Sequence, residues 1–148
     1  MTEANNVTLL IAEDEDDDYQ LVKEALEEAD FKGRLLRFKD GKELMVFLSG
    51  RASRAPRVDG ERLLLLLDIN MPRKNGREVL QELKGDPDLR KMPVVVLTAS
   101  TGQDDVALFY ELGATSFIKK PPNYEQLSAF VKAFKKYWLE MVILPGVK

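Results

Sequence analysis

Side chains with chemical use stand directly after short apolar runs along this chain. Glu13 and Asp14 follow Val7–Ala12 (VTLLIA), and Asp68 follows the five leucines Leu63–Leu67. Thr98 follows Val94–Leu97, and Lys119-Lys120 follow Thr115–Ile118. The chain has no cysteine and no histidine. That composition removes disulfides, thiolate nucleophiles, imidazole acid/base catalysis and a Ser–His–Asp triad. Chemistry must therefore come from carboxylates, hydroxyls, lysines, backbone groups and a borrowed hard cation. Clustered carboxylates repel one another, and each pKa rises. A divalent cation relieves the repulsion, and oxygen-only ligands with room for water and phosphate point to Mg²⁺. Asp68 is an apt nucleophile because carboxylates form aspartyl-phosphates. Thr98 and Lys120 can each hold a phosphoryl oxygen. Glu13, Asp14 and Asp68 together balance Mg²⁺ and the Lys120 ammonium, so the loaded site is expected to be near neutral.

This chemistry needs elements that bring distant residues to one rim. A lone loop aspartate is usually a cap or a turn former, so the case rests on convergence. The leucine run, followed by Asn70, Pro72, Asn75 and Gly76, predicts a strand buried on both faces, as in a parallel sheet covered by helices. Asp17 or Asp18 is expected to cap a helix with the stripe Leu21, Val22, Ala25, Leu26 and Ala29, stopped at Gly33. Arg34–Phe38 reads as a strand, and Asp40-Gly41 turns into a helix facing inward with Leu44, Met45, Phe47 and Leu48. Ser49–Arg62 has no period and reads as a surface loop. Asn75 is placed to cap a helix carrying Val79, Leu80 and Leu83, and Asp104–Leu112 is a short helix stopped by Gly113. The last amphipathic helix carries Tyr124, Leu127, Phe130, Val131, Phe134, Tyr137 and Trp138.

Strand and helix therefore alternate five times. This predicts an α/β fold with a five-stranded parallel sheet, helices on both faces and the flavodoxin-like order 2-1-3-4-5. In that order the third strand lies between the first and the fourth. Glu13, Asp14, Asp68 and Thr98 become neighbours at the carboxyl edge, where ligands of open α/β folds bind.

With 148 residues and a net charge of −3, the chain is expected to be one domain: a core at about 7–139 and an extension at 140–148, without a nucleic-acid partner. No leader and no membrane-length apolar run is visible, so a cytoplasmic location is expected.

The same residues carry a family resemblance. From Val7 to Trp138 the chain resembles a two-component response-regulator receiver domain (CheY-like). It does so through Glu13-Asp14, Asp68 in LLLLLDINMPRKNG, Thr98 in VVVLTAS and Lys120-Pro121 in FIKKPP. The separations of 30 residues from Asp68 to Thr98 and 22 from Thr98 to Lys120 fit that family. The resemblance implies that Asp68 accepts a phosphoryl group from a phosphohistidine on a sensor histidine kinase. It implies that Glu13, Asp14, Asp68 and the backbone carbonyl of Asn70 hold Mg²⁺, and that Thr98 and Phe117 form a switch pair. The loop before the third strand and the ending YWLEMVILP are most similar to stand-alone receivers partnered with bacterial phytochromes. That implies a bacteriophytochrome kinase as donor and a homodimer face on the fourth helix, fifth strand and last helix. No room for an output domain follows the last helix, so the protein is expected to pass its signal by protein contact or by a further phosphotransfer step, rather than to turn over a substrate.

Departures and rivals sharpen these expectations. Glu13 stands where the family often has aspartate, and its longer arm either meets the ion directly or reaches it through water. Asn70 and Ser100 occupy the positions where the family tunes phosphoryl lifetime, and Pro122 is expected to stiffen the presentation of Lys120. Asp16, Asp17 and Asp18 read as a helix-starting cluster favoured by the dipole, outside the site. Lys119 reads as exposed, and Lys132, Lys135 and Lys136 as a solvated face. Tyr137, Trp138 and Met141–Leu144 either complete the core or form a partner patch. An aspartate-nucleophile phosphohydrolase is the enzyme rival, but its D-x-D motif belongs near the first strand, and here Asp68-Ile69-Asn70 follows the third. A binding-only pseudo-receiver is the other rival, marked by partner binding that ignores Asp68→Asn.

Overall fold

A computed structural model describes residues 7–53, 62–99 and 102–145. Five strands form one parallel sheet: β1 (Val7–Ala12), β2 (Arg34–Phe38), β3 (Arg62–Leu67), β4 (Val94–Thr98) and β5 (Ser116–Lys119), in the order β2-β1-β3-β4-β5. Between and after them run α1 (Asp16–Glu28), α2 (Gly41–Ser53), α3 (Gly76–Gly85), α4 (Gln103–Glu111) and α5 (Tyr124–Phe134). A π-helical segment, Lys135–Met141, continues α5. The expected class and strand order hold.

The leucine run is explained by alternation. Successive strand side chains point to opposite faces, so Leu63, Leu65 and Leu67 join one core with Leu44, Leu48, Val79 and Leu80. Leu64 and Leu66 join the other with Val22, Leu26, Leu127 and Val131. All five are at most 4% exposed, and each contributes roughly 1.5–3 kcal/mol by leaving water.

Local signals set several helix ends. Asn75 caps α3 with a capping box: its side chain accepts from the Glu78 amide at 3.0 Å, and Glu78 accepts from the Asn75 amide at 3.0 Å. Gly113 ends α4 at φ +106°, a left-handed conformation that suits glycine.

Several expectations need correction. Neither Asp17 nor Asp18 caps α1; Glu15 precedes the helix without a side-chain cap bond, and all three aspartates lie within its first turn. Helix α1 ends at Glu28, well before Gly33, and Leu21 is 40% exposed rather than part of the buried stripe. Helix α2 continues through Ser53 into the expected loop, whose residues 54–61 lie outside the described ones. The tail divides between its two readings. Trp138, Leu139 and Leu144 are buried in the α1/α5 core, whereas Tyr137, Met141 and Ile143 are exposed. The packed core thus extends past 139 to Leu144. Among the described residues, no helix is long and apolar enough to cross a membrane.

Candidate functional site

The site is assembled by the parallel ladder running one residue past the strand ends. The Glu13 amide donates to Phe38 O at 3.0 Å, the Asp68 amide to Ala12 O at 3.0 Å, and the Lys120 amide to Thr98 O at 2.9 Å. These bonds extend the β2-β1-β3 and β4-β5 pairings and the β3–β4 ladder joins the two groups, so residues far apart in sequence share one rim. Carboxylate oxygens of Glu13, Asp14 and Asp68 come within 4.8 Å of one another. Three convergent hard oxygen donors of this kind suit a divalent cation.

Lys120 closes the cluster. Its ammonium lies 2.7 Å from Glu13 Oε1, 3.1 Å from Asp68 Oδ2 and 3.0 Å from Asp18 Oδ2. Lys119 is exposed as expected. The second oxygen of Asp68 accepts from the Asn70 amide at 3.1 Å, so both ends of the carboxylate are oriented. Glu13 Oε2 accepts from the Glu15 amide at 3.1 Å.

Burial strengthens these charges. Glu13 and Asp68 are 5% and 7% exposed. Desolvation, with the Asp68 charge behind it, pushes the Glu13 carboxyl up from 4.5 to about 7 against the opposing pull of Lys120. Burial alone would push the Lys120 ammonium down. The hydrogen bond it donates to Glu13 and the charges of Asp68 and Glu13 outweigh it and hold the ammonium well above the ordinary lysine range. Glu13 therefore titrates near neutrality beside a lysine that stays charged.

Thr98 ends β4 and is fully buried. Phe117, its expected switch partner, is half-buried on β5 and already packs on the core, with its ring centroid 6.0 Å from that of Phe109. Its amide donates to the Tyr110 hydroxyl at 3.1 Å, which ties α4 to the edge strand. Ser100 lies outside the described residues.

Two features were missed by sequence reasoning. Asp18 belongs to the rim. A signal was available, because Asp18, Val22 and Ala25 lie on one face of α1, so the buried stripe continues into the acidic turn. The second is a brace behind the loop after Asp68. Arg73, at φ +66°, donates through Nε to Asp40 Oδ2 at 3.0 Å, while Asp40 Oδ1 accepts from the Glu43 amide at 2.8 Å and caps α2. The Glu43 amide is the main reason the Asp40 carboxyl is held below the usual carboxylate range. Gly76 makes the close approach possible; a Cβ there would lie 2.6 Å from Ile69 Cα.

A doubly covered parallel sheet with an acidic triad, a lysine and a threonine at its carboxyl edge defines a receiver-type signalling domain. Residues 9–132 match the response regulator receiver domain, and the chain belongs to that family. It is 41% identical to the response regulator Rcp1 of Synechocystis sp. over 93% of this chain and 92% of that one. A crystal structure of the Mn²⁺-bound form of Rcp1 superposes with a TM-score of 0.82 at 40% identity, covering 94% of this chain and 99% of that one. The phosphorylated cyanobacterial phytochrome response regulator RcpA gives a TM-score of 0.82 at 38% identity, covering 94% and 98%.

Proposed function

We propose that this receiver takes a phosphoryl group on Asp68 from a phosphohistidine of a sensor histidine kinase of the phytochrome type, in a Mg²⁺-dependent reaction. The observation that carries the reading is the meeting of Asp68, Glu13 and Asp14 within 4.8 Å, with Lys120 3.1 Å from Asp68. An Asp68 oxygen forms the bond to phosphorus while the bond from phosphorus to the donor nitrogen breaks, and that electron pair returns to the imidazole. The Asn70 amide and Lys120 orient the attacking carboxylate, so little geometry remains to be found at the moment of reaction. Lys120 and the Thr98 hydroxyl receive phosphoryl oxygens as charge moves outward from the carboxylate. Glu13, Asp14, Asp68 and the Asn70 carbonyl would hold Mg²⁺, which supplies positive charge to the transferring group. Movement of Thr98 toward the phosphoryl group, with Phe117 following, would shift the population of the face formed by α4, β5 and α5. On this reading that face is where a second copy docks.

The test is incubation with acetyl phosphate and Mg²⁺, followed by intact mass and oligomer size for wild type and Asp68→Ala. One phosphoryl group per chain, absent in the variant and accompanied by a change in oligomer size, is expected. Multiple turnover of the donor, or modification that persists in Asp68→Ala, would overturn the reading.

A further inference from the structure

The ammonium of Lys120 has three N–H donors, and each faces a carboxylate: Glu13, Asp68 and Asp18. Two of these belong to the cluster of candidate metal ligands, but Asp18 does not. Asp18 also differs in exposure, at 45% of its side chain against 7% for Glu13 and 8% for Asp68. It reaches the rim from the first turn of α1, on the face that continues through Val22 and Ala25 into the core.

We propose that Asp18 is a positioning residue for Lys120. It holds the ammonium in a resting place and yields it when Asp68 is phosphorylated. This rests on Asp68 being the phospho-acceptor. With acetyl phosphate as donor, an Asp68 oxygen bonds to phosphorus, the P–O bond to the acyl oxygen breaks, and its electron pair leaves on acetate. Negative charge then lies farther out, on the phosphoryl oxygens, and Lys120 must follow it. Every donor of the ammonium is already taken, so one carboxylate has to be released. Glu13 and Asp68 are buried, and water replaces a lost partner poorly there. Asp18 is half in solvent, so its release costs least. Until then it opposes phosphorylation by competing for Lys120.

The rate of phosphorylation by acetyl phosphate, read by intact mass at low ionic strength with Mg²⁺, tests this. Asp18→Asn should gain about two- to fivefold, the size expected for a half-exposed ion pair. Asp18→Glu, which keeps the charge within reach, should return the rate to that of wild type. Asp17→Asn removes a charge from the same helical turn, and its rate should stay unchanged. In a Lys120→Ala background, Asp18→Asn should have no effect, because Asp18 acts through that lysine. No gain in Asp18→Asn, an equal gain in Asp17→Asn, or a gain that persists without Lys120 would overturn the proposal. A wild type that takes no phosphoryl group would instead fail the underlying reading, and the proposal with it.

Discussion

Replacing Glu13 by Gln should remove a pH dependence that the site builds into the metal-free protein. Glu13 titrates at about 7 in the fold against 4.5 for the free side chain, chiefly because it is desolvated. A carboxyl whose pKa rises on folding favours the fold fully below the unfolded value, and that contribution is lost as pH rises through the folded value. Wild type should therefore lose stability relative to Glu13→Gln between about pH 5 and pH 8. With 1.36 kcal/mol per pKa unit, the cost of ionising Glu13 is on the order of 1 kcal/mol at pH 5 and about 3 kcal/mol at pH 8. The change across that window is about 2 kcal/mol, a large share of the 5–15 kcal/mol typical of a domain. Loss of the Lys120 partner in the variant adds an offset that does not vary in this window, because the lysine stays charged throughout. The slope is thus the informative quantity. The assay is urea denaturation in a metal chelator, followed by far-UV circular dichroism and by the fluorescence of Trp138, the only tryptophan. Saturating Mg²⁺ should recover stability in wild type and less in the variant. Stability curves that run parallel from pH 5 to pH 8 would refute the burial argument.

Two further substitutions probe the loop behind Asp68. Asp40→Ala removes the α2 cap and the Arg73 partner together, and should cost about 1–3 kcal/mol in urea melts. Because the Asp40 carboxyl is held low, its contribution should be present above the unfolded carboxylate range and vanish as pH falls through its folded pKa. Gly76→Ala puts a Cβ against the Ile69 backbone, so it should cost about 1–3 kcal/mol and slow phosphorylation by shifting the Asn70 amide; unchanged melting and rate would show that the loop can give.

What the sequence determined by itself was everything carried by short-range pattern. Five leucines followed closely by Pro72 and Gly76 favour a strand covered on both faces over a short buried helix. Asn75 three residues before Glu78 specifies a capped helix. The alternation of such segments implies a parallel sheet, which brings Glu13, Asp14, Asp68, Thr98 and Lys120 to the same edge. It suits the order 2-1-3-4-5, which makes the first four neighbours. What only the tertiary structure decided depends on how helices rotate and where loops return. The helical phase of Val22 and Ala25 singles out Asp18 from its neighbours, but that Lys120 comes within reach of it is set by the packing of α1 against α5 and the sheet. The Asp40–Arg73 brace joins two loops with no local signal linking them. The tail could not be divided from its composition, since Leu144 and Ile143 are equally apolar; only the shape of the α1/α5 core buries one and leaves the other in water. Local free energies choose elements, but the contacts that orient a charged site arise between elements, where sequence distance carries no information.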